Sequence, residues 1–172
     1  MNWNEYFTAD YEAGTLTWKT RGREGFAHDR LWKTWNTRYA GKIAGFVTRR
    51  GYQMVSLLNK TYLVHRVLFE MANGPIADGI QIDHKDQNKR NNSLSNLRCA
   101  TSSENKQNIG LRANNSSSVT GVCLHKASGL WVSWINRQGV RFFLGYFADF
   151  DLAVKARKDA ELNYFGKFAP TH

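Results

Sequence analysis

Residues 64–108 read VHRVLFEMANGPIADGIQIDHKDQNKRNNSLSNLRCATSSENKQN, and this stretch decides the fold. Short apolar runs at 80–82 and 94–100 predict two strands joined by a long, polar, asparagine-rich connection. Thr101 and Glu104 then have the spacing of a capping box, which predicts the start of a helix. The stretch therefore predicts a strand, a loop, a second strand and a helix.

Three polar features lie on this background. They are the pair Asp83-His84, an Asn-Leu-Arg run that begins at Asn96, and Asn105 after a glutamate. Asn96 lies twelve positions after His84, and Asn105 lies nine positions after Asn96. An Asp-His pair alone is a weak signal, because a lone histidine is more often structural than catalytic. The three features together, at this spacing, form a specific pattern.

At these positions the chain resembles the HNH nucleases, in particular the phage and intron homing endonucleases of the H-N-N subtype. The resemblance covers about residues 62–110 and includes the lead-in Val64-His65-Arg66. It implies a β-hairpin and one helix around a single metal ion. It also implies hydrolysis of phosphodiester bonds in double-stranded DNA, with 5′-phosphate and 3′-hydroxyl ends as products.

The residue types suit that chemistry. An imidazole accepts a proton near neutral pH, so His84 is the expected general base. Asp83 and Asn105 offer the oxygen atoms that one Mg²⁺ or Mn²⁺ ion prefers, and such an ion keeps several waters and binds substrate phosphate. The ion would stabilise the transition state and the departing 3′-oxygen. Asn96 is expected to hydrogen-bond the imidazole of His84 and to fix its tautomer.

Structural alternatives stand beside these roles. Asn96 can be a turn residue before the second strand, and Asn105 can be a helix-surface residue. His65 can equally be a packing residue or a DNA contact. Because adjacent strand residues point to opposite faces, Asp83 and His84 must lie at a strand end or at a bulge to serve one site.

Basic residues around this stretch are candidate phosphate contacts. The alternative is that they are solvated charges without a partner. In the N-terminal region, Arg21 and Arg23 join the same class. The principal candidates are Arg49, Arg50, Arg66, Lys85, Lys89, Arg90 and Arg98.

The C-terminal third predicts a separate module. Residues 113–118 (ANNSSS) are small and polar and predict a linker. Strand-like runs follow at 119–124, 130–137 and 140–146, and then a helix pattern from about 150 to 164. Asp149 is its expected N-cap and Gly166 its expected end. The pattern predicts a three-stranded antiparallel sheet with one helix across it.

This module resembles the plant Apetala2/ethylene-response-factor DNA-binding domain. The resemblance rests on GV at 121–122, GLW at 129–131, LGYF at 144–147 and GKFA at 166–169. It implies that the sheet lies in the DNA major groove. The implied DNA-facing residues are Cys123, His125, Trp134, Asn136, Arg141 and Phe143.

The chain departs from the plant pattern at two of these positions. The plant domain has arginines where this chain has Cys123 and His125. The departure implies looser sequence reading, led by Arg141 and Arg137. The alternative is a packing or dimerisation module with an aromatic sheet surface.

Composition favours nucleic acid as the partner. The net charge of +10 and the pI of about 9.8 favour a polyanion over an anionic membrane or a merely solvated surface. Cys99 and Cys123 form no CxxC motif, which argues against a Cys-built zinc site and indicates a reducing, cytoplasmic setting. The sequence has no signal-peptide pattern and no apolar run of membrane-spanning length.

The sequence therefore predicts an α+β protein of three modules. These are a β-rich N-terminal module at 1–75, a ββα-metal HNH motif at 76–112 with its lead-in from 62, and an Apetala2-like DNA-binding domain at 119–172. The predicted function is that of a monomeric endonuclease of the phage homing type, which nicks or cuts double-stranded DNA in an infected bacterial cell without a small-molecule cofactor. One rival is a catalytically inactive DNA-binding regulator, and another is a structure-selective nuclease or an RNase toxin.

Overall fold

The computed structural model of the chain describes residues 1–108, 115 and 117–170, with Lys167 described along its backbone alone. The chain divides into two compact units. The first comprises Met1–His84 and Asn88–Cys99, and the second comprises Lys85–Gln87 and Ala100–His172. Within the predicted linker, residues 113, 114 and 116 lie outside the described part of the chain.

An antiparallel hairpin opens the first unit. After a 3₁₀ turn at Trp3–Glu5, strand β1 (Phe7–Asp10) pairs with strand β2 (Thr15–Trp18). The apolar positions Leu16 and Trp18 alternate along β2, and both side chains are buried. This period of two is what a strand with one buried face requires.

Helix α1 (Asp29–Tyr39) follows the hairpin, and the strand-like pattern of the N-terminal region did not predict it. The ring of Trp35 packs edge-on against that of Trp18, with 5.2 Å between the centroids. The opposite face of α1 carries the exposed cations Arg30 and Lys33. The helix thus presents an aromatic face to its unit and a basic face to solvent.

A three-stranded antiparallel meander and a helix complete the N-terminal region. The strands are β3 (Phe46–Val47), β4 (Gln53–Leu57) and β5 (Lys60–Leu63), and helix α2 (Val64–Asn73) follows directly. A turn at 49–51 joins β3 to β4, and Gly74 is the C-cap of α2.

One apolar core joins the hairpin, the meander and α2. Its large aromatic members offset the small size of the unit, because each buries a large apolar area. The buried members are Trp3, Phe7, Leu16, Trp18, Ala44, Val55, Leu57, Val64, Val67 and Leu68.

The central stretch forms the predicted strand, loop, strand and helix. Strand β6 (Gln81–His84) pairs with strand β7 (Leu97–Ala100), and helix α3 (Ser102–Asn105) comes next in the chain. The second strand is shorter than predicted, because Leu94–Asn96 form a 3₁₀ turn ahead of it.

The second unit contains the predicted three-stranded sheet. Strands β8 (Val122–His125), β9 (Leu130–Arg137) and β10 (Val140–Phe147) are antiparallel, with β9 in the centre. Helix α4 (Phe150–Phe165) packs on this sheet over a small core that includes Ile135. The α+β class and the C-terminal sheet-and-helix arrangement are therefore confirmed.

Polar contacts fix both ends and the middle of α4. The carboxylate of Asp149 accepts hydrogen bonds from two backbone amides of the first turn, and Gly166 ends the helix with a φ of 51°, as predicted. In the middle, Arg157 pairs with Glu161 at 2.8 Å and donates to the Trp134 carbonyl at 2.6 Å. The buried guanidinium therefore joins the helix to the backbone of β9.

Within the described part of the chain, no helix has the length and apolar character needed to cross a membrane.

Candidate functional site

Asp83 and His84 are the last two residues of β6, so the pair lies at a strand end as the sequence required. Their relative exposures are only 6% and 5%. Two neighbouring polar side chains are thus held in a largely dry environment. Burial of polar groups at this level needs specific partners, because an uncompensated one is costly.

A hydrogen-bonded chain of side chains leads from His84 to β4. The Nε2 atom of His84 lies 3.0 Å from Oδ1 of Asn92, and Nδ2 of Asn92 donates to Oε1 of Gln53 at 3.1 Å. Because Nδ2 of Asn92 is committed to Gln53, its Oδ1 faces the imidazole as an acceptor. Nε2 of His84 is therefore the donor in this contact.

A second histidine forms one wall of the site. The ring of His65, on α2, packs edge-on against that of His84 with 4.7 Å between centroids, and the Tyr52 ring lies 5.8 Å from His65. His65 is only 3% exposed, and its Nδ1 is buried without a hydrogen-bond partner among the described residues. Burial first, and then the neighbouring His84 and Arg66, lower the pKa of His65 to about 3. His65 is therefore a neutral packing residue, and its burial rules out the alternative of a DNA contact.

Asp83 forms an ion pair across the two-stranded sheet. The Nε and Nη2 atoms of Arg98, on β7, each lie 2.8 Å from Oδ2 of Asp83. The two side chains are 12% and 8% exposed. Arg98 thus compensates a buried carboxylate in addition to any part that it has in phosphate binding.

Asn96 is buried at the end of the 3₁₀ turn, and its Nδ2 donates to the carbonyl of Asn91 at 2.8 Å. This bond ties together the two ends of the loop segment that includes Asn92. Asn96 therefore supports that segment, and the expectation that it also bonds the imidazole of His84 stays a prediction.

Asn105 is the last residue of α3 and belongs to the second unit. The helix begins with the predicted capping box, in which Thr101 Oγ1 accepts from the Glu104 amide and Glu104 accepts from the Thr101 amide. The capping box fixes the first turn, on which Asn105 lies. A metal-binding role for Asn105 stays a prediction.

Two more of the predicted phosphate-binding residues, Lys89 and Arg66, form hydrogen bonds with backbone carbonyls. Lys89 donates to the Arg50 carbonyl at 3.2 Å, and its Nζ lies 4.8 Å from the centre of the Tyr52 ring. Arg66 is half-buried and donates to the Ile80 carbonyl at 3.3 Å. The more exposed members of the set are Arg49, Arg50, Lys85, Lys89 and Arg90.

Two N-terminal arginines are occupied within the fold. The guanidinium of Arg21 lies over the Phe26 and Trp35 rings, at 4.8 and 5.1 Å. Arg23 pairs with Asp29, and this hydrogen bond lowers the pKa of the Asp29 carboxyl. Both arginines therefore stabilise the segment around α1, which is a simpler account of them than phosphate binding.

The outer face of the C-terminal sheet collects most of the predicted DNA-facing residues. Trp134 pairs with Phe143 and Asn136 with Arg141 across β9 and β10, so these four share one face. The Arg141 guanidinium lies 5.1 Å from the centre of the Trp134 ring. This face therefore combines aromatic rings, an amide and a cation.

Two further residues complete the account of that sheet. The ring of His125, on β8, packs against that of Tyr146, with 5.8 Å between centroids. Arg137 belongs to the opposite face by strand alternation, and its guanidinium lies 5.8 Å from the ring of Tyr164 on α4. The structure therefore separates Arg137 from the other predicted readers.

A groove of about 780 Å³ in the second unit is lined by part of this outer face and by part of α4. Trp134, Asn136 and Arg141 line it, together with Ser102, Ser103 and Lys106. Asp83 and His84 do not line the groove. Its mixture of hydroxyl, amide and cationic groups is of the kind that contacts a nucleic-acid backbone.

Comparison with known proteins shows that one segment of the chain is similar to a known family. Residues 62–107 match the family model of the HNH endonucleases. That segment contains Asp83, His84, Asn96 and Asn105, and it agrees with the extent of the resemblance seen in the sequence. The match covers less than half of the chain.

Two further proteins are similar to the chain. Protein 3.8 of Escherichia phage T7 is 37% identical over 75 residues, which are 44% of this chain and 62% of that protein. The chain thus spans less than two thirds of that relative's length. A solved structure on DNA binding and cleavage by the HNH homing endonuclease I-HmuI has 18% identity and a TM-score of 0.42, over 93% of this chain and 85% of that one.

Three residues of the site were missed from the sequence as contributors to it. Asn92 and Gln53 hold the imidazole of His84, and Tyr52 packs near it at 6.4 Å between centroids. Asn92 lies in an asparagine-rich loop, where nothing in its local pattern distinguishes it from its neighbours. Gln53, on β4, and Tyr52, just before that strand, come from a distant part of the sequence, so only the fold brings them to His84.

Proposed function

We propose that the chain is a metal-dependent endonuclease that hydrolyses phosphodiester bonds of double-stranded DNA. The observation that carries the proposal is the Asp83-His84 pair, buried at the end of β6 inside the segment that matches the HNH endonucleases. A buried Asp-His pair also occurs in proteins that are not nucleases. Here Asn96 and Asn105 follow His84 by twelve and twenty-one positions, within the segment that matches the HNH endonucleases.

His84 is the proposed general base. It takes a proton from the water that attacks the scissile phosphorus, and the new P–O bond forms as the bond to the 3′-oxygen breaks. The leaving 3′-oxygen is protonated from solvent, which gives 5′-phosphate and 3′-hydroxyl ends. The hydrogen bond to Asn92 and the wall formed by His65 hold the imidazole for this step. Asn96 supports the loop that carries Asn92.

Asp83 and Asn105 are the proposed protein ligands of one Mg²⁺ or Mn²⁺ ion. Asp83 fits such an ion, because its carboxylate already holds a cation, the guanidinium of Arg98, at 2.8 Å. Among the described residues, no three His, Cys, Asp or Glu side chains cluster to hold a metal. Few protein ligands, with waters and phosphate completing the shell, suit Mg²⁺. When bound, the ion supplies positive charge for the transition state and for the leaving oxygen.

The basic residues are proposed to hold the duplex. Arg49, Arg50, Lys85, Lys89 and Arg90 are exposed and suit phosphate contacts, which position a duplex without reading its sequence. Arg66 and Arg98 are more enclosed and would act only close to the cleaved strand. The net charge of +10 supports this assignment.

The outer face of the C-terminal sheet is the proposed DNA reader. We propose that it acts as the Apetala2-like domains do, with the sheet in the major groove. His125, Trp134, Asn136, Arg141 and Phe143 would face the bases, and Arg137, at the end of β9, would contact the DNA backbone. A phage origin is supported by the similarity to a phage T7 protein. A homing-type role and a monomeric state complete the proposal.

Parallel substrates test the function. The purified chain is incubated with end-labelled duplex DNA, single-stranded DNA and RNA of one sequence, with Mg²⁺ or with EDTA. We expect cleavage of the duplex with Mg²⁺ alone and fragments that carry 5′-phosphates. Preferential cleavage of RNA would favour the toxin rival, and binding without cleavage under any divalent ion would favour the DNA-binding regulator.

A further inference from the structure

The strongest unassigned feature is the buried asparagine beside His84. Asn92 is 1% exposed, which places it among the most deeply buried side chains of the chain. A buried amide needs partners for both of its ends, because a buried polar group without a hydrogen bond destabilises the fold. Asn92 has them in His84 and Gln53.

The donor and the acceptor of each hydrogen bond between Gln53, Asn92 and His84 follow from the contact that Gln53 makes with the backbone. Nε2 of Gln53 donates to the backbone carbonyl of Ala44 at 3.5 Å, so Oε1 of Gln53 faces Asn92. Oε1 can only accept, so Nδ2 of Asn92 must donate to it. The remaining Oδ1 of Asn92 faces His84 and can only accept. The proton of the neutral imidazole is therefore held on Nε2, and the lone pair is on Nδ1.

The backbone of Asn92 is fixed as firmly as its side chain. Asn96 donates to the carbonyl of the preceding residue, Asn91. The Leu94 amide donates to the Tyr11 carbonyl at 2.9 Å. Gly14, in the turn between β1 and β2, lies so close to the Asn92 backbone that a Cβ there would collide with it. The N-terminal hairpin therefore holds the loop in place.

We infer that Asn92 is the positioning residue that fixes the tautomer and the direction of the His84 imidazole. The inference rests on the proposed role of His84 as general base. Proton transfer requires the base to present a lone pair to the attacking water, so a fixed tautomer and a fixed ring direction both serve that step. Asn92 acts through His84 and has no contact with substrate in this scheme.

The test compares two nearly isosteric replacements. Asn92→Leu removes the acceptor, whereas Asn92→Asp keeps an oxygen facing His84. Asn4→Leu makes the same chemical change at an exposed position as a control. Unfolding curves for all three show whether each variant is folded at the assay temperature. Gln53→Met, which loosens Asn92 without touching His84, is the fallback if Asn92→Leu does not fold.

The first readout is NMR of the imidazole in the metal-free protein. We expect ¹⁵N shifts that place the proton on Nε2 of His84, and a proton resonance protected from exchange with water. That protection is lost in Asn92→Leu or Gln53→Met and retained in Asn92→Asp. A neutral His84 protonated on Nδ1 in the wild type would overturn the inference, as would undiminished protection in Asn92→Leu.

The second readout is cleavage of duplex DNA. In Asn92→Leu, kcat is expected to fall about 100-fold, the lower range of general-base effects, while the Kd for duplex DNA in EDTA changes less than twofold. Asn92→Asp recovers part of kcat. Equal kcat in Asn92→Leu and wild type would overturn the inference.

The two readouts separate the inference from the function it rests on. The expected NMR result in a protein that cleaves nothing would sustain the positioning of His84 and sink the proposed nuclease activity. Cleavage that depends on His84 but not on Asn92 would sustain the proposed nuclease activity and overturn the positioning role of Asn92.

Discussion

The ion pair between Asp83 and Arg98 offers a sharp test of the site's electrostatics. Arg98→Met keeps the length and the apolar stem of the side chain but removes the guanidinium from Oδ2 of Asp83, 2.8 Å away. Both side chains are nearly buried, so the carboxylate loses a partner that water cannot fully replace. Breaking a buried pair from one side costs about 3–5 kcal/mol.

We expect Arg98→Met to lower the free energy of unfolding by about 3 kcal/mol, the lower end of that range, because the pair retains slight exposure. For a unit of this size the loss corresponds to a fall in Tm of roughly 12–24 °C. Urea and thermal unfolding, followed by tryptophan fluorescence in EDTA at pH 7, measure both. Arg30→Met, at an exposed position on α1, is the matched control and should stay within about 0.5 kcal/mol of wild type.

A double variant and a Mg²⁺ titration test the role of this ion pair further. Adding Asp83→Leu to Arg98→Met removes the stranded charge and should recover most of the lost stability. Mg²⁺ should stabilise Arg98→Met more than the wild type, because the cation no longer competes with a guanidinium for the carboxylate. A loss below 1 kcal/mol in Arg98→Met, or equal Mg²⁺ stabilisation in the two proteins, would refute the account of Asp83.

Three further predictions test other parts of the structure. The pKa of His65 is about 3 in the folded state and has an ordinary value of 6.5, so between these pH values His65 binds a proton only in the unfolded state. The free energy of unfolding therefore falls by about 2 kcal/mol from pH 6.5 to pH 5, and this loss is absent from the unfolding curves of His65→Phe. Gly14→Ala, at a φ of 66° and against Asn92, should destabilise the fold by about 1–3 kcal/mol and lower kcat, whereas unchanged unfolding would contradict the close approach. The affinity for duplex DNA should fall steeply with salt, and the slope of log K against log salt should shrink by about 2 in Arg49→Gln/Arg50→Gln if both bind phosphates; an unchanged slope would remove them from the interface.

Local patterns in the sequence predicted most of the elements because their causes are local. The capping box of Thr101 and Glu104 lies within one helical turn, and the Asp149 cap lies within three residues of the amides that it binds. Strand alternation required Asp83 and His84 to lie at a strand end or at a bulge if both serve one site, and they lie at a strand end. Such features need no knowledge of the tertiary fold.

Helix α1 was missed because its signal is aromatic and sparse. Trp32, Trp35 and Tyr39 recur at helical spacing, but polar and basic residues separate them and no aliphatic stripe accompanies them. The half-buried ring of Trp35 packs against Trp18, on a strand earlier in the chain. Tertiary packing of rings, more than helix propensity, therefore determines this helix.

The contacts of the site could not be predicted for a different reason. Asn92 donates a hydrogen bond to Gln53, which lies 39 positions earlier in the sequence. Arg98 donates to Asp83 on the neighbouring strand. Residue types identified His84 and Asp83 as chemical groups, but their partners depend on strand pairing and loop geometry. The sequence therefore singled out Asp83 and His84 but not the residues that hold them.

The central claim is that His84 drives metal-dependent cleavage of duplex DNA. The most direct measurement incubates supercoiled plasmid with wild type, His84→Ala and the control His28→Asn, which replaces an exposed histidine and keeps a capping side chain, with Mg²⁺ or with EDTA. We predict nicked or linear plasmid with wild type and His28→Asn in Mg²⁺ alone, and a rate at least about 100-fold lower with His84→Ala. Equal cleavage by His84→Ala, or cleavage by the wild type in EDTA, would contradict the account.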